Sequence, residues 1–552
     1  MQGGALATES PRSLRAELTG GSRRGWPLVF APGVAALAVS VPLAVAYVLL
    51  APSSGDLAAA TYRGDLFARA GFTLWDNGWY GGHYLPGYSL LAPALASLMG
   101  ERALLAVSVV IASGLFGVIA QRSFSSSGAR AAGASFALGI SVGLLSGRVA
   151  YGLGIALALL AVLVLIRGWT AAALVLAMLT SVASPVAGAF LALAGLAHAL
   201  TVAPGSSHGR GAWRRRRRGL ALAGAALAPT LVLALAFPEG GWQPFAPSLF
   251  WPVLAGVMLM ALLLRRANGL LPSDSRRMLT VGACLYALAL AGAFLLRTPV
   301  GSNAERLGAL LAAPLAVGVL WERRRLALAL LAPALLYWQL QASVSDFAAL
   351  AGNPSVNASY YAPLVAELQS LAHGRPLRVE VPMTEAHWES VYLPEHPPIL
   401  LARGWERQLD TRYDGLFYRS TLAAPAYRSW LDQNAVSYVA LPDVPLDSAG
   451  EQEQRLIATG PPYLAEVWHS NHWRLFAVRG GTPLAQPPAL LSGVGPDSFT
   501  LFAPRPGAFT VRVRFTPYWT VQRGRGSVRS APDGWTEVDV RRAGVLRVDI
   551  SG

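Results

Sequence analysis

The chain reads as a polytopic α-helical membrane protein of about eleven transmembrane helices, followed by an extracytoplasmic C-terminal region of α/β and β-sandwich character. Three observations predict this. Of its 552 residues 53% are hydrophobic and 14% charged, with a mean hydropathy of +0.42, against about 25% charged in an average soluble domain. Apolar runs able to cross about 30 Å of hydrocarbon recur up to residue 341. From residue 342 the pattern changes to short alternating stretches broken by Pro and Gly.

Residues 1–25 are a polar tail with Arg12, Arg15, Arg23 and Arg24, expected in the cytoplasm. Trp26–Ala51 is the first span; it lacks the short core and small-residue cleavage site of a removable signal peptide, so it stays in the protein. Residues 52–93 form a loop in which Asp56, Asp65, Asp76 and His83 are interleaved with Trp75, Trp79, Tyr80, Tyr84 and Tyr88. Tyr88–Met99 is apolar but too short to span, and suits a helix at the interface or re-entering. Ten further spans are expected at 103–121, 131–146, 150–166, 170–187, 189–202, 220–237, 249–264, 278–296, 307–320 and 326–340.

Charge orients this array. Every basic residue other than histidine is arginine, and residues 1–341 hold 26 Arg against 10 Asp plus Glu. Eleven spans with an inside N-terminus place 20 of those 26 on the cytoplasmic side, including Arg122, Arg130, Arg167, Arg210, Arg214–Arg218, Arg265, Arg266, Arg276, Arg277 and Arg323–Arg325. The opposite side is acidic, with Asp56, Asp65, Asp76, Glu101, Glu239 and Glu305. The protein is therefore expected in the plasma membrane, with the 52–93 loop and the C-terminal region outside. Residues 342–552 balance 19 Arg with 20 acids, so the net charge of +15 belongs to membrane topology and not to nucleic acid.

In the C-terminal region, strand patterns at 377–381, 437–441, 473–478, 509–515 and 546–550 predict an α/β domain over 342–480 and a small antiparallel sandwich over 481–552. There is no glycine-rich phosphate loop, HExxH or GxSxG. Cys284 stands alone, which excludes an internal disulfide. His387 with Glu385 and Glu389 has a spacing that suits either a metal or a solvated helix face; His469 and His472 read as surface or core residues.

The loop holds the candidate chemistry. Transfer of a sugar from a lipid phosphate needs a carboxylate to take the acceptor proton and a cation near the leaving phosphate. Asp56, just beyond the first span, is the first choice of base, with Asp65 and Asp76 as alternatives. Trp75, Trp79, Tyr80 and His83 are candidates to line a sugar, although interfacial anchoring accounts for the aromatics as well. Asn303 and Arg306, with Glu305, stand at the outer mouth of a late span, where an arginine needs an acidic partner or a phosphate.

The pattern G-x-x-x-W-x-x-x-W-x-G-G from Gly71 to Gly82, Pro-Gly-Tyr-Ser at 86–89, SPVAG at 184–188 and GSNAER at 301–306 resemble the GT-C superfamily of polyprenyl-phosphate-sugar-dependent glycosyltransferases. More closely, they resemble bacterial membrane proteins labelled 6-pyruvoyl-tetrahydropterin-synthase-related, a label that implies no pterin chemistry. The resemblance implies a GT-C-like membrane fold, a polyprenyl-phosphate-linked sugar donor and a cell-envelope glycan, lipid or protein acceptor. It also implies a base in the first outer loop, matching Asp56, and a phosphate-binding arginine matching Arg306. Some members use a divalent metal ion; nothing in this sequence demands one. A lipid or glycan transporter or flippase is the rival, disfavoured by spans almost free of charge and the lack of a repeat between halves. A non-catalytic envelope-assembly protein is the third possibility.

Overall fold

The computed structural model describes residues 26–201 and 210–550. The expected cytoplasmic tail, with Arg12, Arg15, Arg23 and Arg24, lies outside the described residues.

The membrane half is a bundle. Helix α1 (Trp26–Leu50) leads through α2 (Gly55–Ala70), a hairpin of β1 (Trp75–Asp76) with β2 (His83–Tyr84), and the short α3 (Ala92–Met99) into α4 (Glu101–Ala120). Next come α5 (Ser126–Val142), extended to Ser146 by a 3-10 turn, α6 (Val149–Ile166), α7 (Thr170–Ala183), α8 (Pro185–Leu200), α9 (Arg210–Ala236), α10 (Pro247–Arg266), α11 (Ser273–Leu295), α12 (Arg306–Leu320) and α13 (Arg325–Leu350). Each expected span is a helix. Among the described residues nine helices are long and apolar enough to cross a membrane, whereas α7 and α8 are shorter apolar helices. This is a multi-pass membrane protein.

Small residues set the packing. A Cβ on Gly117 would approach the Pro32 carbonyl oxygen to 2.5 Å, and one on Gly195 would meet the Gly219 carbonyl oxygen at 2.8 Å. Glycine therefore lets α4 close on α1 and α8 on α9, as lipid-embedded helices require when no water drives them together. Ser125 and Ser184 cap α5 and α8 by accepting from the Gly128 and Ala187 amides, which satisfies helix ends in the low-dielectric bundle.

The arginine-rich links share one end of the bundle. There Ser275 Oγ donates to the Arg122 carbonyl at 3.5 Å, Arg323 to the Gly269 carbonyl at 3.1 Å, Arg215 pairs with Asp274 at 3.3 Å, and Ser127 meets Glu322. The C-terminal region covers the opposite end. Several boundaries differ from expectation: α7 stops at Ala183 and not at 187, α9 begins at Arg210 and not at 220, and the last span does not stop at 340, because α13 continues as a single helix to Leu350.

Beyond α13, α14 (Ala358–Ala372) precedes β3 (Leu377–Glu380), α15 (Glu389–Tyr392), β4 (Ile399–Leu401), α16 (Arg407–Tyr413), α17 (Ala424–Gln433), β5 (Tyr438–Pro442), α18 (Glu451–Ala458), β6 (Leu464–His469) and β7 (Trp473–Val478). These strands form one sheet in the order β4-β3-β5-β7-β6, parallel on one side of β5 and antiparallel on the other. Strands β8 (Leu490–Gly495), β9 (Ser498–Ala503), β10 (Gly507–Arg514), β11 (Trp519–Arg523), β12 (Gly526–Ser530), β13 (Trp535–Val540) and β14 (Gly544–Ile550) form two antiparallel sheets, β11-β14-β9-β8 and β10-β13-β12. Alternating residues such as Phe509, Val511 and Val513 point into the core they enclose. The 403–410 segment is a buried brace: Arg403 pairs with Asp410 at 2.8 Å and lies 3.6 Å from both Glu380 and Glu453.

Candidate active site

Asp56 stands in the first turn of α2, where the helix N-terminus favours a carboxylate. What surrounds it comes from distant parts of the chain. Gly147, at φ +71°, joins the end of α5 to α6; a Cβ there would collide with Ser54 Oγ and come within 2.7 Å of Leu57 Cβ. Glycine thus lets this link press against the start of α2, and the next residue, Arg148, donates from Nε to Asp56 Oδ2 at 2.8 Å. Arg306, opening α12, brings Nη2 to 4.0 Å from the same oxygen, with its guanidinium 5.5 Å from the Tyr151 ring centre. Behind Arg148 lies Asp346 of α13 at 3.5 Å, itself held by Ser146 Oγ at 2.8 Å. Glu305 accepts from Trp338 Nε1 at 3.0 Å.

Arg148 and Arg306 line an open cleft between α4, α5, α6, α12 and α13, and Asp56 is held beside them outside its lining. Arg148, Tyr151, Glu305 and Arg306 line its polar end, and Leu105, Val109, Ile140, Ala309, Leu310 and Ala342 its apolar walls. The Asp56 side chain is 34% exposed and those of Arg148 and Arg306 27% and 22%, so all three are reachable. Burial pushes the Asp56 carboxyl up, but Arg148 and Arg306 outweigh it and hold the group below its usual value. Asp56 is therefore an ionised carboxylate.

The C-terminal region closes over this turn. His387, at φ +59°, lies with Cδ2 3.2 Å from where a Cβ on Gly55 would stand; its ring stacks on Trp405 at 3.4 Å and Nε2 is 3.7 Å from Asp447. Burial pushes the His387 imidazole down to about 4 against the pull of Asp447, so it is neutral at pH 7. The spacing of His387 with Glu385 and Glu389 does not become a metal site. Glu389 is turned away, accepting from the Thr384 amide at 3.1 Å and Oγ1 at 2.6 Å, and among the described residues no three His, Cys, Asp or Glu side chains are grouped to hold an ion.

The other expected site residues lie elsewhere. Nine positions along α2, Asp65 falls on the opposite face from Asp56 and sits with Glu395, which burial and Asp65 together push up to about 7. Asp76 is buried, accepting from Tyr62 Oη at 3.0 Å and the Gly78 amide at 3.0 Å, 3.8 Å from His83 Nδ1. Burial raises its carboxyl to about 6 despite those hydrogen bonds, and lowers the His83 imidazole to about 3.

Trp75, Trp79, Tyr80 and His83 are each at most 2% exposed, which corrects the expectation that they line a sugar. Trp79 is stacked on Tyr62 at 4.4 Å and donates to the Ser390 carbonyl at 2.9 Å. Tyr80 donates to the Gly404 carbonyl at 2.6 Å, and Trp75 packs against Trp519 inside the sandwich core. They are core residues joining the loop to the C-terminal region. Asn303, in the turn before α12, lies outside the cleft lining.

Sequence reasoning missed Arg148, the cation closest to Asp56. The signal was present: Arg148 is an arginine in a short link on the acidic side of the bundle, the same argument that singled out Arg306. Tyr151 carried no signal, since it is one residue in an apolar run, and Asp346 lay beyond the expected end of the last span.

No protein-family profile matches this chain, and no curated protein does. Among solved structures it is similar to an oligosaccharyltransferase of Archaeoglobus fulgidus, crystallised with a tethered acceptor peptide. The two are 13% identical over 74% of this chain and 69% of that one, with a TM-score of 0.38. A likeness that distant leaves the activity to be judged from the geometry of the site.

Proposed function

We propose that this protein is a membrane glycosyltransferase of the GT-C type, moving a sugar from a polyprenyl-phosphate donor to a hydroxyl of an extracytoplasmic, cell-envelope acceptor. The observation that supports it is Asp56 held by Arg148 and Arg306, the two arginines that line the polar end of an apolar-walled cleft. A polyprenyl phosphate has the matching shape: an apolar chain for the cleft and an anion for the arginines. Both guanidiniums can grip phosphate oxygens through paired hydrogen bonds.

Binding of that anion also prepares the base. As the phosphate takes up Arg148 and Arg306, Asp56 loses the charges that hold its proton affinity down. Its carboxylate then accepts the acceptor proton while the acceptor oxygen bonds to the anomeric carbon and the carbon–oxygen bond to phosphate breaks. The electron pair leaves on the lipid phosphate, which the arginines stabilise. Nine crossings among the described residues, or eleven with α7 and α8, are both odd, and together with the arginine asymmetry either count supports a cytoplasmic arginine-rich end and an outer C-terminal region.

Purified protein assayed with a polyprenyl-phosphate sugar tests the reading. Asp56→Asn is expected to bind donor nearly normally and to lose transfer by about 100-fold or more. Arg306→Ala is expected to weaken donor binding and Arg306→Lys to weaken it less. Wild-type transfer by Asp56→Asn removes the base; normal donor binding by Arg306→Ala with a lower unfolding temperature makes that arginine a structural partner. A cytoplasmic signal from a reporter fused after Gly552 overturns the topology.

A further inference from the structure

One end of the β-sandwich carries charge that no acid among the described residues neutralises. Arg505 lies in the β9–β10 turn, Arg523 and Arg525 flank Gly524 between β11 and β12, and Arg541 and Arg542 open the β13–β14 turn. Strand register sets these turns side by side: Ala503 pairs with Gly544, and Val540 with both Gly507 and Gly526. The Arg541 amide donates to the Arg525 carbonyl at 2.9 Å. All five arginines are exposed.

Their neighbours are spoken for. Arg512, Arg529 and Arg547 on the strands pair with Asp533, Glu537 and Asp549, whereas none of the five has an acid within ion-pair distance among the described residues. Residues 498–532 contain no Asp or Glu, and Asp539, two positions before Arg541, makes no ion pair. Backbone geometry presses the charges together. Gly524 is at φ +96°, and a Cβ on Gly526 would meet the Asp539 carbonyl oxygen at 2.5 Å, so the Arg-Gly-Arg-Gly turn closes tightly with both arginines exposed.

The opposite end of the sandwich faces the membrane half. There the Asn77 amide donates to the Pro496 carbonyl at 2.8 Å, the Arg514 amide to the Gly81 carbonyl at 2.7 Å, and Tyr518 Oη to the Ala236 carbonyl at 3.3 Å. The arginine pole is one strand length beyond these contacts, roughly 20 Å at about 3.3 Å per residue. The bilayer around α9 is therefore on the far side of the sandwich from it.

We propose that this pole is a docking surface for a polyanionic polymer outside the membrane, whose repeated phosphodiester or carboxylate groups meet the arginines in succession. Each guanidinium forks onto either oxyanion. Adjacent strands stand about 4.8 Å apart, inside the screening length of about 8 Å at physiological salt, so the charges act together. A small anion satisfies one or two of them; a polymer satisfies the set and relieves their mutual repulsion. The extracellular placement rests on the topology proposed above, but the surface does not depend on the chemistry at Asp56.

The test uses the full chain in nanodiscs of zwitterionic lipid, titrated with fluorescent poly(glycerol phosphate), polygalacturonate, neutral dextran or a single-stranded oligonucleotide of similar length. One of the first two is expected to bind, to be released by raised salt, and to identify the anion. The variant R505Q/R523Q/R525Q/R541Q/R542Q is expected to bind it about tenfold or more weakly, as loss of five exposed contacts implies, with an unchanged unfolding temperature. R474Q/R529Q/R547Q, which removes paired arginines elsewhere, is expected to bind it like the wild type, and so is Asp56→Asn whether or not transfer survives. Undiminished binding by the fivefold variant, equal binding of dextran, or binding of the oligonucleotide alone overturns the proposal.

Discussion

The loop after α1 divides into two halves with opposite environments. Its first half carries Asp56, partly exposed, to the two arginines that line the cleft and hold its carboxyl ionised. Its second half carries Asp76 into a sealed nest of Tyr62, Trp79 and His83, where burial raises the carboxyl to about 6. Both are aspartates of one loop rich in tyrosine and tryptophan. What separates a candidate reaction site from a structural joint is access and unspent positive charge, and aromatic company says nothing about either.

The largest effect that sharpens this contrast is on stability. Trp79→Ala opens a cavity where the loop meets Ser390 and Tyr62, and is expected to cost about 3–5 kcal/mol, read as a lower unfolding temperature. An unchanged unfolding temperature would mean that the joint is not a joint, and would reopen Trp79 as a ligand contact.

Next is a pH response of opposite sign in the two halves. Asp76 binds its proton more tightly folded than unfolded, so its contribution is full below about 3.8 and is lost as pH rises through about 6, a change of about 2–3 kcal/mol. Asp56 is lowered instead; its contribution is present above about 3.8 and disappears as pH falls through its folded value. Stability to chemical unfolding between pH 4 and pH 7 is expected to decline less steeply in Asp76→Asn than in the wild type, the remainder coming from other carboxyls raised by burial such as Glu389 and Glu395, whereas Asp56→Asn leaves the slope in place. A slope that Asp76→Asn leaves unchanged breaks the contrast.

A smaller effect concerns the arginine that sequence reasoning missed. Arg148→Ala is expected to weaken donor binding about tenfold and Arg148→Lys by less, since a point charge replaces a fork. Unaltered donor binding would leave Arg148 a clamp between Asp56 and Asp346. The smallest effect is at Asp65, on the far face of α2, where Asn is expected to change transfer less than about twofold and stability by about 0.5 kcal/mol or less, as for a surface site.

Much of this architecture was legible in the sequence. Each expected span became a helix, because a 15- to 20-residue apolar run in lipid has one way to satisfy its backbone. The strands at 377–380, 438–442, 473–478, 507–514 and 544–550 followed from alternation. Asp56 and Arg306 were both picked out as ionisable groups on the acidic side of spans, and the fold brings them together across 250 residues. The environment of Trp75, Trp79, Tyr80 and His83 was not legible. An aromatic cluster with glycines reads alike whether it faces a ligand or another part of the chain, and only the tertiary contacts with Ser390, Gly404 and Trp519 decide. The end of α13 was misplaced because polar Gln339, Ser343 and Asp346 look like a boundary, although all three turn toward neighbouring helices.

The same joint constrains how the protein is made. Trp75 belongs to the core of a sandwich whose other members are synthesised hundreds of residues later, and Asn77 is separated from its Gly495 partner by 418 residues. At about 5–20 residues per second the loop waits roughly 20–80 s for them. Throughout that interval its aromatic face is unmatched while ten further helices are inserted. The C-terminal region expressed alone lacks that tryptophan from its core, so it is a fragment whose missing piece comes from the loop after α1.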